Sequence, residues 1–293
     1  MTQLMLKQLK EWQYELLETI PGDEQELNLA INRLFHRLIF IRSVEDRGLD
    51  QQHSLQEVIG ALPGQALKVL HQLFTHFREH FDSELFAFSP VDQMPLDEAT
   101  LRERIRGFYE PAVVPIKFDF SLIDPDMMGR LYEQHLRLRI SGVTRPQEKT
   151  LLEPKRTIAI SPALRTQGIY YTPTWLVDYI VQHTLRELLK TRRPTTWDDV
   201  KVLDLACGSG AFLQRAYEDL LVYFKNQWEQ QGRVFGYKER REILEKSVFG
   251  VDENKGAIQN TQLVLWLRAQ PTSNHVEAHE LPQLNSNSSF RLK

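Results

Sequence analysis

The segment Asp204-Leu-Ala-Cys-Gly-Ser-Gly-Ala-Phe-Leu213, entered through Lys201-Val-Leu-Asp-Leu205, decides the fold of this 293-residue chain. A short apolar strand delivers an acid at its carboxyl end, two glycines follow, and a helix is predicted from about Ala211. Gly208 and Gly210 let the backbone approach a ligand with no Cβ in the way. The N-terminus of the next helix offers unpaired N–H groups and partial positive charge to an anion. Asp204 stands where a carboxylate holds a cationic group of the same ligand. A molecule with both ammonium and carboxylate, such as the methionine part of S-adenosylmethionine, meets both demands. A dinucleotide site would want GxGxxG, and Leu213 occupies the third glycine's place. A glycine-eased turn with no ligand is the plainer alternative.

Working outward, Ser247-Val-Phe-Gly-Val251 reads as a second strand ending in Asp252, before a helix over about 254–269. The order βαβα opens a parallel, doubly wound sheet. An acid ending the second strand of such a sheet accepts hydrogen bonds from ribose hydroxyls, usually about 20 residues after the glycine turn. Here Asp204 and Asp252 are 48 positions apart, which predicts one extended helix across 211–246. A helix N-cap is the alternative role for Asp252. Upstream, Gly168-Ile-Tyr-Tyr-Thr-Pro173 precedes an amphipathic helix over 173–191 with Trp175, Leu176, Ile180, Val181 and Leu185 on its apolar face. Thr172 or Thr174 is the expected cap, and Lys190, Arg192 and Arg193 suit the negative end of the dipole. Tyr170 and Tyr171 either wall a ligand pocket or simply pack. Two strands are too few for a stable parallel sheet, so another chain or the helical half must shield it.

Residues 1–89 read as helix nearly throughout. Leu4, Leu6, Leu9, Trp12, Leu16 and Leu17 make one apolar face, and Leu27, Ile31, Leu34, Leu38 and Ile41 make a second, with Asp23 as N-cap and Gly48 as the stop. Shorter helices are predicted near 54–60 and 64–80. Prolines interrupt 82–125, a helix is predicted over 125–139, and the polar stretch 141–166 reads as a connector. With 36 basic and 39 acidic residues the net charge is -3, so no cationic surface advertises nucleic acid. The single cysteine, Cys207, excludes an internal disulfide framework and fits a reducing cytoplasm. No apolar run reaches the ~18–20 residues of a membrane span.

Taken together, three segments resemble the gamma-class N6-adenine DNA methyltransferases. GIYYTP (168–173) is similar to motif X of that family, DLACGSGAFL (204–213) to motif I, and VFGVDENKGAI (248–258) to motif II, in the family's order. Leu205 stands where motif I usually has proline. Asn32 to Gly48 and Met128 to Leu136 resemble the helical region preceding the methylase in type IIG restriction–modification and phage-defence enzymes. The resemblance implies a fold of α plus α/β: a helical domain over 1–140, the connector, an incomplete Rossmann-like class I methyltransferase domain over 167–270, and a polar tail over 271–293. It implies S-adenosylmethionine as cofactor. Tyr170, Tyr171, Thr172 and Pro173 would contact its methionine part. Asp204, Ala206, Cys207, Gly208 and Gly210 would hold the amino-acid end, with Phe212 nearby, and Asp252 the ribose hydroxyls. Double-stranded DNA would be the substrate, with the target adenine flipped out and its exocyclic nitrogen attacking the sulfonium methyl in line.

The same family catalyses with an Asn-Pro-Pro-Tyr or Asn-Pro-Pro-Phe motif IV. No Asn-Pro follows Asp252, where the only prolines are Pro271 and Pro282. The sequence therefore reads as a methyltransferase stopped before catalysis: part of a split enzyme whose second polypeptide carries motif IV and the DNA reader, a non-catalytic assembly subunit, or an inactive remnant. Glu153-Pro-Lys155 has nuclease-like Glu-x-Lys spacing with Asp124 or Asp126 upstream, but Pro154 argues against the strand it needs. His71, His76 and His80 lack a third ligand at matching spacing and read as solvated or packing side chains, not metal ligands. Trp12, Trp175 and Trp266 are expected in the core.

Overall fold

Helix α2, Glu24–Asp46, is buried on most sides, and that makes it the axis around which the N-terminal half assembles. Ala30, Ile31, Leu34, Phe35, Leu38, Ile39, Phe40, Ile41 and Val44 are all buried, far more than the single stripe expected. Buried Asn32, His36, Arg37, Arg42 and Ser43 lie among them, so the helix is enclosed through polar as well as apolar side chains. Its neighbours are α1 (Thr2–Thr19), α3 (Leu55–Gly60), α4 (Ala66–Phe81) and α5 (Glu98–Arg106), with single turns at Glu84–Phe86 and Pro90–Gln93. Asp23 caps α2 by accepting from Glu26 N–H at 3.0 Å, as expected. The computed structural model describes residues 2–50, 52–81, 84–110, 117–121, 172–253 and 255–270. The expected helix over 125–139, the connector, the tail, Tyr170, Tyr171 and the Glu-x-Lys segment lie outside those residues. Among the described residues, no helix is long and apolar enough to cross a membrane.

Next comes a continuous helical rod in three parts: α6 (Thr174–Val181), a π turn (Gln182–Arg186) and α7 (Glu187–Arg192). Its buried side chains are Val177, Val181, Leu185 and Leu189, spaced four apart. At 3.6 residues per turn that row would drift around the helix, and the wider π turn returns it to one face. Trp175 is a correction: it is 70% exposed rather than in the core, whereas Trp12 and Trp266 are buried. Pro173, rather than a threonine, stands at the N-cap, where its carbonyl accepts from Leu176 N–H. At the other end Arg193 adopts the left-handed conformation, φ 47°. Glycine relieves such a site, so Arg193→Gly is expected to raise stability by about 1 kcal/mol, read as a higher urea midpoint at unchanged slope.

Strands β1 (Val202–Asp204) and β2 (Val248–Gly250) pair in parallel, with Val202, Leu203 and Asp204 opposite Val248, Phe249 and Gly250. Between them run α8 (Ala211–Gln230) and α9 (Tyr237–Ser247). The single helix expected over 211–246 is thus two. Gly232 turns the chain at φ +69°, and Arg233 N–H closes onto the Trp228 carbonyl at 3.0 Å, ending α8 as glycine C-caps do. The last described helix, α10 (Lys255–Ala269), joins the halves. Leu263, Val264, Trp266 and Leu267 pack into the N-terminal core, and Leu265 and Ala269 into the core around the strands. Trp266 meets Phe40 with ring centroids 5.5 Å apart. Arg240 donates to the Arg268 and Ala269 carbonyls at 2.7 and 2.9 Å, fixing the end of α10.

Candidate functional site

The loop from Leu205 to Gly210 leaves β1 and is tied back to both strands. Val251 N–H donates to the Asp204 carbonyl at 2.8 Å, and Cys207 N–H to the Val251 carbonyl at 2.9 Å, carrying the pairing past the strand ends. Gly210 N–H then closes on the Cys207 carbonyl at 2.8 Å, and α8 starts. This wiring brings Asp204 and Asp252 to the same loop from different strands. Asp204 accepts from Ala206 N–H at 3.0 Å, and Asp252 accepts from Gly208 N–H at 2.8 Å. Asp252 is therefore bound to the glycine loop through its carboxylate, an arrangement neither the ribose reading nor the N-cap reading anticipated.

Cys207 lies between the two acids, and its side chain is buried in the core beneath them. Burial first, and then the nearby Asp204 and Asp252 charges, push its thiol up to about 12. A thiol held protonated is no nucleophile, so Cys207 contributes through its backbone and its packing. Phe212 is partly buried against the same core. Ala206 is exposed, Thr172 half-buried and Pro173 exposed.

The glycines differ in what they permit. Gly208, φ +53°, has open space where a Cβ would stand, so a ligand has room to approach its backbone. Gly210, φ +84°, is pressed against α10: a Cβ there would sit 2.5 Å from Thr261 Cγ2 and 2.9 Å from its Oγ1. Thr261 also donates its hydroxyl to the Gly208 carbonyl at 2.8 Å. Helix α10 thus braces the loop from behind, a role for Thr261 that sequence reasoning missed because the contact spans 53 positions.

The open face of Gly208 with carboxylates at either side fits a ligand bearing an ammonium and vicinal hydroxyls. It does not suit a pyrophosphate, which two carboxylates would repel. The residues present therefore fit the methionine and ribose parts of S-adenosylmethionine.

A further cluster was invisible along the sequence. His76 on α4, read as a packing or solvated side chain, is met by Asp50 and His53 from the turn after α2.

Comparisons with known proteins bear on the whole segment that carries this loop. Residues 160–285 match the family model described as N-6 DNA Methylase, a match that extends into the stretches read as connector and tail. The chain is 24% identical over 286 residues to the type II restriction enzyme and methyltransferase RM.Eco57I of Escherichia coli, covering 90% of this chain and 27% of that protein. It is 24% identical over 233 residues to the adenine-specific methyltransferase BrxX of Escherichia coli O9:H4 (strain HS), covering 59% of this chain and 18% of that one. The chain thus spans about a quarter or less of the length of these relatives. In fold it is similar to a modification subunit assigned to a type I restriction enzyme of Vibrio vulnificus YJ016, with TM-score 0.50 and 17% identity over 92% of this chain and 54% of that one. Through residues 160–285, this chain resembles the N-6 DNA methylase family.

Proposed function

We propose that this chain provides the S-adenosylmethionine-binding part of an adenine-N6 DNA methyltransferase in a restriction–modification or phage-defence system. The observation that carries the reading is the pair of carboxylates, Asp204 and Asp252, each bonded to an amide of one glycine loop whose Gly208 face is open. The cofactor supplies an electrophilic sulfonium methyl. The chain's part is to hold it: Asp204 faces the ammonium, Asp252 takes the ribose hydroxyls, and the start of α8 receives the carboxylate. Thr172 and Pro173 would contact the methionine part, a role proposed for Tyr170 and Tyr171 on the family resemblance alone. Ala206, Cys207, Gly210 and Phe212 shape the loop from below.

Catalysis is assigned to residues outside this set, in a segment of the Asn-Pro-Pro-Tyr type. Leu203 and Leu205, 59% and 71% exposed, support that assignment. Parallel strands are ordinarily covered on both faces, and further strands beside β1 would bury this apolar edge.

Calorimetric titration of S-adenosylmethionine into the full chain tests the reading. Saturable binding is expected, weakened about 10-fold or more by Asp252→Ala and by Asp204→Ala, since charge-assisted hydrogen bonds contribute about 1.5–3 kcal/mol. Binding indifferent to both substitutions, or none from a chain whose circular dichroism shows it folded, would sink it.

A further inference from the structure

We propose that Asp50, His53 and His76 form a zinc-binding site that staples the turn after α2 to helix α4. The three ligand atoms lie within 4.8 Å of one another. Asp50 Oδ2 is 2.6 Å from His76 Nε2 and 3.4 Å from His53 Nδ1. The carboxylate is preset for this: its other oxygen, Oδ1, accepts from Gln52 and His53 N–H at 2.9 and 3.2 Å, leaving Oδ2 aimed at the imidazoles. The Asp50 side chain is only 8% exposed, so a buried anion waits for a counter-charge.

Two features argue that the hydrogen-bonded arrangement is incomplete by itself. His53 Nδ1 is buried and makes no hydrogen bond, a cost that a metal bond removes. The His53 and His76 rings are stacked, centroids 3.5 Å apart and 22° from parallel, so two nitrogens crowd one oxygen. Both imidazoles must be neutral to act as ligands.

Two imidazoles and one carboxylate make the donor set of a zinc ion with one position left for water, and they disfavour magnesium or calcium, which take oxygen ligands. Bond lengths of about 2.0–2.2 Å require the Asp50–His76 pair to part by less than 1 Å and the His53 ring to turn toward His76. His53 has the freedom to turn, being one-third exposed. His76 also borders a groove of about 710 Å³ shared with His71 and Glu79, which gives an ion a path in. His80 packs its ring on that of His76, centroids 3.9 Å apart, but is not one of the three ligands: its Nδ1 is engaged with the His76 carbonyl at 3.0 Å.

The test uses the full chain stripped with chelator and titrated with Zn²⁺ alone, by calorimetry and by melting temperature, with cobalt(II) as a spectroscopic reporter. One saturable equivalent that raises the melting temperature is expected, with no effect of Mg²⁺. His53→Ala should weaken binding by more than the roughly 10- to 100-fold that loss of an outer-shell partner costs, while the metal-free melting temperature stays near that of the parent. His80→Ala should bind as the parent does. The proposal is overturned by the absence of saturable zinc binding to the folded chain, by undiminished binding in His53→Ala, or by loss of binding in His80→Ala.

Discussion

Gly210→Ala is expected to destabilise the chain by about 2–4 kcal/mol and to remove measurable S-adenosylmethionine binding. Two independent costs combine. Residue 210 sits at φ +84°, where an L side chain costs about 1–2 kcal/mol by itself. The new Cβ would also stand 2.5 Å from Thr261 Cγ2, a distance no packed core tolerates, so either α10 backs away or the loop lifts. Helix α10 is poorly placed to yield, because it is wedged between both cores, with Trp266 against Phe40 on one side and Leu265 in the strand core on the other. The loop therefore moves, and Gly208, tied to Thr261 through its carbonyl and to Asp252 through its amide, moves with it. Pairing Gly210→Ala with Thr261→Ala removes the steric part and leaves the conformational part. Stability should return only in part, by a non-additive amount that a double-mutant cycle measures. Simple additivity of the two substitutions would show that α10 does not brace the loop.

How much of this was legible in the sequence depends on how local the signal was. The strand ends carrying Asp204 and Asp252, and the glycine turn between strand and helix, are written within a dozen residues and lie where expected. The break between α8 and α9 is also locally written, in Gly232, although the 48-position spacing of the two acids points to one long helix. Contacts between distant segments were not legible. Nothing in the local pattern says that Thr261 presses on Gly210, or that Asp252 spends its carboxylate on Gly208 N–H. The π turn was hidden because the eye accepts spacings of three or four without asking whether they sum to one face. His76 was weighed only against its helical neighbours, while its partners Asp50 and His53 come from a turn more than twenty residues earlier. The same limit applies to α2, whose apolar stripe is plain in the sequence but whose burial on most sides follows from the other helices and turns that pack around it.

Within that helix, Arg37→Ala is expected to cost about 3–5 kcal/mol. The Arg37 side chain is fully buried and makes every donor count. Its Nε donates to the Leu85 carbonyl at 2.8 Å, Nη1 to Asp92 at 2.7 Å, and Nη2 to the Ala87 carbonyl at 2.7 Å, with Ser89 Oγ at 3.3 Å. Phe74 lies under the guanidinium at 4.7 Å. Burial pulls the Arg37 pKa down, Asp92 opposes it, and a guanidinium stays charged regardless. This one side chain therefore organises the irregular 84–93 segment, whose own backbone forms only single turns. Truncation leaves two carbonyls without their donor and a mostly buried Asp92 without its counter-ion, so the penalty is that of orphaned groups rather than of lost attraction. Arg37→Lys keeps the charge but not the planar fork, and should recover less than half the loss. Asp92→Asn in the Arg37→Ala background should be milder than the single truncation, since it removes the stranded charge. Urea denaturation monitored at the tryptophans decides the matter: an Arg37→Ala midpoint within about 1 kcal/mol of the parent would mean that water replaces the guanidinium and that α2 holds the 84–93 segment by apolar contact alone.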